Sequence, residues 1–332
     1  MNLSWQIVRL NLKETFSISY GNYDFREALI VSLKSHHCIG FGECTAIDYY
    51  QINLNDFVLK LQEIQIKIES QKITHPKDFY DFLTQLNLPS FLRSALDCAF
   101  WDLFGKLENQ SFLELNLIEI KQLPESSITI SVDSVENQIQ KIKKLSWNQF
   151  KVKCNRYNFQ EIKSLVALDY KIALDSNGSF EKENCQELEA FSDVEKFLYL
   201  EQPMSKGTEN YEILNSNSKA NWMADEDCHS IFDLIKLQSH YKSINIKLVK
   251  CGGLTPALAL ITEARKLNFK IMIGCMTEST IGISAGANLA PLCDFADLDG
   301  ANLIANDIAK GSIVENGLIK LSNKSGLGIQ LV

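Results

Sequence analysis

The chain has 332 residues, of which 45% are hydrophobic and 22% are charged, and its formal net charge is −8. This is the balance of a globular protein, and the length suffices for one large domain and a smaller one. The acidic charge argues against nucleic acid and against an anionic membrane as partners, but it leaves open a locally positive site for an anionic substrate.

The nine cysteines are scattered along the chain, and no two of them are spaced as C-x-x-C. Thiols without a pairing pattern are typical of a reducing compartment. The first residues lack the basic and then apolar layout of a signal peptide, and no apolar run is long enough to span a bilayer. We therefore expect a cytoplasmic protein.

Residues 1–120 have the pattern of an α+β domain. Alternating polarity at Ser4–Leu10 predicts a strand, and the runs Ala28–Lys34 and Cys38–Glu43 predict a strand pair. Apolar residues at helical spacing predict helices in Phe57–Ile68 and Phe91–Leu107. We expect this region to cap a larger domain.

From about residue 128, short apolar runs recur at intervals of 22 to 27 residues. Most are separated by stretches with helical periodicity, such as Val135–Leu145, Phe159–Ala167 and Pro256–Leu267. The eight predicted strands are Ile128–Val132, Phe150–Lys153, Ile172–Leu174, Phe197–Leu200, Trp222–Ala224, Ile244–Val249, Ile271–Ile273 and Phe295–Leu298. This pattern predicts an α/β protein with a TIM-type (β/α)₈ barrel over residues 121–305, rather than an open sheet. Residues 306–332 are expected to return to the N-terminal domain and complete it.

Carboxylates stand at the ends of three successive predicted strands: Asp175, Glu201 and Asp225. All strands of a parallel barrel end at one mouth, so these side chains are expected to converge there. Three close carboxylates repel one another, and a hard divalent cation relieves the repulsion; oxygen ligands without His or Cys favour Mg²⁺. The alternative is that each carboxylate caps the helix that follows its strand.

Lysines occupy two of the predicted strands. Lys151 and Lys153 share one face of the second strand, and Lys247 lies within the apolar sixth strand. A lysine whose pKa is lowered by another lysine and by a nearby cation can act as a general base near neutral pH. Lysines on both sides of one carbon could remove a proton and return it to the opposite face. Solvated surface lysines are the alternative.

Two further aspartates, Asp297 and Asp299, share one face of the eighth strand. They form a pattern suited to holding a cationic group such as an ammonium. A turn at Asp299-Gly300 is the competing interpretation.

The combined pattern resembles the enolase superfamily, in the branch of muconate lactonizing enzyme, over nearly the whole chain. The motifs that carry this resemblance are Lys151-Val-Lys153, Asp175-Ser-Asn177, Glu201-Gln-Pro203, Ala224-Asp225-Glu226 and Asn245-Ile-Lys247-Leu-Val-Lys250-Cys-Gly-Gly253. Within the branch, similarity to L-Ala-D/L-Glu epimerases rests on Gly42-Glu43-Cys44-Thr45, Ala95-Leu96-Asp97-Cys98-Ala99, Gly274-Cys275-Met276 and Phe295-Ala-Asp297-Leu-Asp299-Gly300.

The resemblance implies a dipeptide epimerase that recycles cell-wall peptides and converts L-Ala-L-Glu to L-Ala-D-Glu. It implies that the carboxylate trio binds Mg²⁺, that Lys153 and Lys247 exchange the α-proton on opposite faces, and that Lys151 tunes Lys153 and touches the substrate carboxylate. It also implies that the aspartate pair receives the ammonium. Thr129 and Cys275 match positions that line the substrate, and loops near residues 16–26 and 45–53 match the lid.

One difference concerns the first lid loop. Related Ala-Glu epimerases carry an arginine there that meets the glutamate side chain, whereas this chain has Tyr20-Gly21, with Arg26 close by. The sequence leaves open which dipeptide is preferred and whether the chain is a homo-oligomer. The alternatives are a cycloisomerase or an o-succinylbenzoate synthase-type lyase on the same scaffold, and a barrel without catalytic activity.

Overall fold

The computed structural model describes residues 1–18 and 21–332. Its N-terminal part is an antiparallel sheet of β1 (Asn2–Ile18), β2 (Gly21–Ser35) and β3 (Cys38–Thr45), paired in that order. The helices that follow are α1 (Leu54–Glu69), α2 (Pro76–Gln85), α3 (Ser90–Glu108) and α4 (Phe112–Leu115). The predicted strand pair β2–β3 and the predicted helices α1 and α3 are present, and α2 is a helix that the sequence analysis missed.

Glycines allow β3 to lie directly against α3. A Cβ atom on Gly42 would be 1.9 Å from the backbone oxygen of Ala95, and one on Gly40 would be 2.1 Å from that of Ala99. Both glycines are therefore required by the close approach of the two backbones rather than by a turn. The sheet and α3 therefore pack closely against each other within the capping part.

Eight parallel strands form the second part, in sequential order around the sheet. They are β4 (Ile128–Ile130), β5 (Gln149–Lys153), β6 (Lys171–Asp175), β7 (Leu200–Glu201), β8 (Trp222–Ala224), β9 (Ser243–Lys247), β10 (Lys270–Gly274) and β11 (Phe295–Asp297). The helices between them are α5 (Val135–Lys144), α6 (Phe159–Val166), α7 (Lys182–Ala190), α8 (Thr208–Tyr211), α9 (Leu234–Leu237), α10 (Leu248–Cys251), α11 (Leu254–Lys266) and α12 (Thr280–Ala287). The predicted α/β barrel with an N-terminal cap is confirmed.

The barrel departs from eight regular strand-and-helix units. The helices after β7 and β8 are single turns, and β11 is followed by a 3₁₀ helix, Gly300–Leu303. Within the described ranges, a single parallel bridge between Ser126 and Ala296 joins the first strand region to the last, so the sheet is nearly closed.

Three strand predictions were wrong at one end by two or three residues. The first strand stops at Ile130 rather than Val132. The sixth strand stops at Lys247 because Leu248 and Val249 begin α10, and Val249 packs into the core of the capping part. The fourth begins at Leu200 rather than Phe197, after a 3₁₀ turn. An apolar run alone does not distinguish a strand from a buried helical turn.

Strand register brings the polar strand ends to one level. Lys153 pairs with Asp175, Asp175 pairs with Glu201, and Gly274 pairs with both Lys247 and Asp297. These residues end their strands at the carboxyl-terminal mouth, where barrel enzymes place their sites.

The C-terminal segment contains β12 (Ala309–Lys310), β13 (Ile313–Glu315), β14 (Leu318–Lys320) and β15 (Gln330–Leu331). It contacts α3: the Leu327 amide donates to Asp102 Oδ1 at 2.8 Å, and Lys106 Nζ donates to the Ile329 carbonyl at 2.9 Å. The domain boundaries that we propose at residues 120 and 305 lie outside regular helices and strands. Within residues 1–18 and 21–332, no helix is long and apolar enough to cross a membrane.

Candidate active site

A cavity lies between the barrel mouth and the capping sheet. The barrel contributes polar and charged side chains to it, and the capping part contributes mainly apolar and aromatic ones. The lining residues are Phe16, Ile18, Arg26, Ile47, Tyr49, Tyr50, Thr129, Lys151, Lys153, Asn177, Asp225, Glu226, Lys247, Cys275, Met276, Thr277, Asp297, Asp299 and Leu303. A few convergent charged groups beneath an apolar roof are typical of a small-molecule site.

The three predicted metal ligands lie at adjacent strand ends, and Asp175, Glu201 and Asp225 are each at most 1% exposed. Hydrogen bonds fix each of them. Asn245 Nδ2 donates to Glu201 Oε1 at 2.7 Å, and the Asn177 amide donates to Asp175 Oδ1 at 3.0 Å. The Asp225 amide donates to the side-chain oxygen of Gln202 at 3.0 Å.

The three carboxyl groups of the trio differ in the direction of their pKa shifts. Burial, reinforced by Asp175 and Asp225, raises the pKa of Glu201 to about 8. Burial also acts to raise the pKa of Asp175 and Asp225, but lysine contacts outweigh it and lower both. Glu201 Oε2 is buried with no hydrogen-bond partner among the described residues, and its nearest ammonium is Lys151 Nζ at 3.5 Å.

An orphaned carboxylate oxygen between two further carboxylates fits a hard divalent cation such as Mg²⁺, which binds oxygen ligands. In the described part of the chain, however, no group of three His, Cys, Asp or Glu side chains is arranged to hold a metal ion. Lysine ammonium groups contact Asp175 and Asp225 instead. The chemistry of the trio is consistent with Mg²⁺ binding, but its present geometry is not that of a metal site. Its assignment to Mg²⁺ stays a prediction.

The predicted catalytic lysines lie on opposite sides of the trio. Lys153 on β5 places Nζ 2.5 Å from Asp175 Oδ2 and 3.1 Å from Asn177 Oδ1. Lys247 on β9 places Nζ 2.8 Å from Asp225 Oδ2. Strands β6, β7 and β8 separate β5 from β9, so the two amines face each other across the mouth.

Without a bound cation, the pKa values of Lys151 and Lys247 are raised in this structure. Burial acts to lower both, but Asp297, Glu201 and Asp175 raise the pKa of Lys151, and Asp225 and Glu201 raise that of Lys247, well above the ordinary value. The carboxylates around each lysine raise its pKa by more than burial and the neighbouring lysines lower it. A cation bound to the same carboxylates would offset their charge and lower both pKa values.

The predicted ammonium site is buried, and the turn of the competing interpretation is also present, because a 3₁₀ helix begins at Gly300 directly after Asp299. Asp297 and Asp299 are 2% and 3% exposed. The Thr129 amide donates to Asp299 Oδ2 at 2.6 Å, and Lys151 Nζ donates to Asp297 Oδ2. Asp297 Oδ1 has no hydrogen-bond partner among the described residues. Burial, with a contribution from Asp297, raises the pKa of Asp299 to about 6.

Cys275 also lines the cavity, as predicted. Burial raises the pKa of its thiol well above the ordinary value, with Asp299 and Asp297 adding to the effect. A raised pKa disfavours the nucleophilic thiolate, so we predict that Cys275 serves as a small apolar part of the cavity wall.

The chain matches known proteins over its barrel and over its whole length. Residues 132–332 match the family described as enolase C-terminal domain-like. The chain is 36% identical to the L-Ala-D/L-amino acid epimerase of Maribacter sp. over 341 aligned residues, which cover 100% of this chain and 99% of the relative. The chain belongs to the dipeptide epimerase family of the enolase superfamily.

Solved structures of dipeptide epimerases have the same fold. One from Enterococcus faecalis, in complex with Mg and L-Leu-L-Tyr, is 25% identical, with a TM-score of 0.90 and coverage of 99% of this chain and 98% of that one. An enolase family member from Agrobacterium tumefaciens with bound sodium and L-Ala-L-Glu is 27% identical, with a TM-score of 0.87 and coverage of 97% and 98%. Membership in this family makes the chain an enzyme of the epimerase and racemase class.

Sequence reasoning missed several residues that shape the site of this dipeptide epimerase family member. Lys250, which had no assigned role, donates to Asp225 Oδ1 and to its backbone carbonyl. Its spacing of one helical turn from Lys247 was the available signal. Tyr50 belongs to a 3₁₀ turn of the predicted second lid loop and lines the cavity. The first lid loop includes Ser19 and Tyr20, which lie outside the described residues.

Proposed function

We propose that this chain catalyses Mg²⁺-assisted epimerisation at the α-carbon of the C-terminal residue of a dipeptide, converting L-Ala-L-Glu to L-Ala-D-Glu. The observation that carries the proposal is the placement of two buried amines, Lys153 and Lys247, on opposite sides of a buried acid trio. The named activity of the Maribacter relative supports it. Recycling of cell-wall peptides is the role that we propose for such an activity.

The chemistry requires an acid and a base on opposite faces of one carbon. In its neutral form, one lysine removes the α-proton, and the electron pair of the broken C–H bond moves into the carboxylate to give an enediolate. The opposing lysine, as an ammonium, returns a proton to the other face, which inverts the carbon. The two lysines exchange roles in the reverse direction.

A bound divalent cation would supply charge stabilisation to the substrate carboxylate, with Asp175, Glu201 and Asp225 as its ligands. Lys151 lies between this trio and Asp297, with Nζ 3.5 Å from Glu201 Oε2 and 3.7 Å from Asp175 Oδ2. It is placed to add a second positive charge beside the developing enediolate.

The ammonium of the dipeptide would bind the aspartate pair on the other side of the mouth. Asp297 Oδ1 is a buried acceptor that the described residues leave unsatisfied. This observation favours an amine-bearing substrate over the substrates of a cycloisomerase or an o-succinylbenzoate synthase-type lyase, because those would leave the oxygen without a donor.

Proton NMR in D₂O tests the proposal. The chain, supplied with Mg²⁺, is incubated with a panel of L-Ala-L-Xaa dipeptides, and loss of the α-proton signal of the second residue is followed together with the appearance of the L,D epimer. The Lys247→Ala variant is the control for the active site. Absence of exchange with every dipeptide, or unchanged activity in the variant, contradicts the proposal.

A further inference from the structure

Asn177 lies in a tight turn that directly follows β6. Asn177 and Gly178 have φ values of 45° and 80°, and the Ser179 amide donates to the Ser176 carbonyl at 3.1 Å. Two successive positive φ values are typical of a type I′ turn, for which Asn-Gly is a preferred dipeptide. The turn is anchored just after β7, because the Gly178 amide donates to the Gln202 carbonyl at 2.8 Å. The backbone therefore fixes the position from which the Asn177 side chain extends.

The side chain of Asn177 bridges two charged residues of the cavity. Its Oδ1 accepts a hydrogen bond from Lys153 Nζ at 3.1 Å, and its Nδ2 donates to Glu226 Oε1 at 3.2 Å. An ammonium group can only donate, so the amide oxygen must face Lys153, and the amide NH₂ then faces the carboxyl group of Glu226. The chemistry of the two partners therefore fixes the orientation of the amide.

The two proposed proton carriers differ in this contact. Lys153 donates both to the carboxylate of Asp175 and to the amide oxygen of Asn177. Among the described residues, Lys247 Nζ donates to Asp225 alone. Because Asn177 lies outside the acid trio, its oxygen would remain available to Lys153 when the trio binds a cation.

We propose that Asn177 is a positioning residue for Lys153, which holds the amine of Lys153 toward one face of the substrate α-carbon and has no counterpart for Lys247 among the described residues. The inference rests on the proposed epimerase function. A lysine side chain is long and flexible, and proton transfer is efficient only when the reacting groups are aligned. Loss of the Asn177 amide should therefore slow proton transfer on the Lys153 face and leave the Lys247 face unchanged.

Loss of the α-proton in D₂O measures each face separately. The chain, supplied with Mg²⁺, receives one pure epimer at a time of the dipeptide that it exchanges fastest, and proton NMR gives the initial rate of α-proton loss. The epimer that loses this exchange in Lys153→Ala is the one that Lys153 deprotonates. For that epimer, Asn177→Gly should lower the rate by about 10- to 100-fold, the range for a hydrogen bond to a charged group. The rate for the other epimer should not change.

Asn177→Gly removes the amide and keeps the backbone of the turn. Glycine adopts positive φ freely, and the backbone N–H of residue 177, which donates to Asp175 Oδ1 at 3.0 Å, is retained. Asn268→Gly is the matched control. Asn268 also has a positive φ, of 62°, and it is exposed in the turn between α11 and β10, outside the cavity. This variant should keep both rates of the unchanged chain.

The proposed function and this inference can fail separately. If the unchanged chain exchanges no dipeptide, the function fails and the inference fails with it. If the chain exchanges both epimers, but Asn177→Gly lowers both rates equally or neither of them, the turn has a merely structural role, so the inference is overturned and the function stands. Should Asn177→Gly not fold, Asn177→Ala, compared with Asn268→Ala, decides by the same two rates.

Discussion

Lys153 and Asp175 are register partners in neighbouring barrel strands, and their side chains join in a buried ion pair of 2.5 Å. Lys247 and Asp225 form the corresponding pair on the far side of the mouth at 2.8 Å. Each proposed proton carrier is therefore held by one of the proposed metal ligands. A cation bound by these aspartates would therefore change the charge around both lysines.

Lys153→Ala and Lys247→Ala should each lower the rate of epimerisation by about 100- to 10,000-fold, the usual worth of a general acid or base. Because the lysines lie on opposite sides, the lysine that remains in each variant should still exchange the α-proton of one epimer. Lys153→Ala should retain exchange for one epimer, and Lys247→Ala should retain it for the other. Deuterium incorporation into L-Ala-L-Glu and L-Ala-D-Glu measures this. If both variants retained exchange for the same epimer, both amines would have to lie on one face of the α-carbon.

Asp297→Asn should lower kcat/KM for dipeptides with a free amino terminus by about 10- to 100-fold, because the ammonium loses a charged acceptor. The change keeps the shape of the side chain. N-acetylated dipeptides lack the ammonium and are the control substrates. An equal effect on acetylated and free dipeptides would argue against an ammonium site at this strand end.

Lys250→Met should destabilise the fold, because it leaves the buried carboxylate of Asp225 with one lysine partner instead of two. Removal of one partner from a buried ion pair costs about 3 kcal/mol. Lys266→Met is the control, since Lys266 pairs with Glu263 on the surface, where such pairs contribute about 1 kcal/mol or less. Urea unfolding monitored by circular dichroism compares the two variants, and equal midpoints would contradict the prediction.

Glu278 should make stability depend on pH. Burial, and then the neighbouring Glu43, raise the pKa of Glu278 from 4.5 to about 8. The folded chain thus holds a proton that the unfolded chain releases, so this contribution to stability is complete below about pH 4.5 and is lost as the pH rises toward 8.

Glu278→Gln should reduce this loss while keeping an acceptor for the Met276 amide, which donates to Glu278 Oε1 at 2.8 Å. Thermal unfolding from pH 5 to pH 9 should show a flatter profile for the variant, since each pKa unit corresponds to about 1.4 kcal/mol. Glu263→Gln, at a half-buried surface position, is the control and should retain the original slope. A variant profile as steep as the original would exclude Glu278 as the cause.

Local patterns were sufficient to predict the barrel and most of its strands, because strand ends and helix periodicity are encoded within a few residues. The polar strand ends were visible for the same reason: Asp175 and Glu201 interrupt apolar runs at regular spacing. Errors occurred where packing overrides local preference. Val249 has a strand-like neighbourhood but turns into α10 because the capping core receives its side chain.

Contacts between distant segments could not be read from local patterns. Glu43 on β3 accepts the amides of Ser279 and Gly282 at the start of α12, at 3.0 and 3.1 Å and across more than 230 residues of sequence. The pKa of Lys151 depends likewise on carboxylates from three other strands, Asp297, Glu201 and Asp175, whose positions around it follow from the assembled barrel. The Nε of Arg26, which is buried without a hydrogen-bond partner among the described residues, also depends on the assembled cavity.

The first and last strands of the barrel are held together by few hydrogen bonds, and this contact lies beside the proposed ammonium site. Among the described residues, the first and last strand regions are connected by one bridge, between Ser126 and Ala296, by the bond from the Leu298 amide to Ser126 Oγ and by the bond from the Thr129 amide to Asp299. A ligand bound by Asp297 and Asp299 would therefore strengthen the connection between the first and last strands of the sheet. We therefore expect substrate binding to stabilise the closure of the sheet, which slower hydrogen exchange at the Thr129 amide would report.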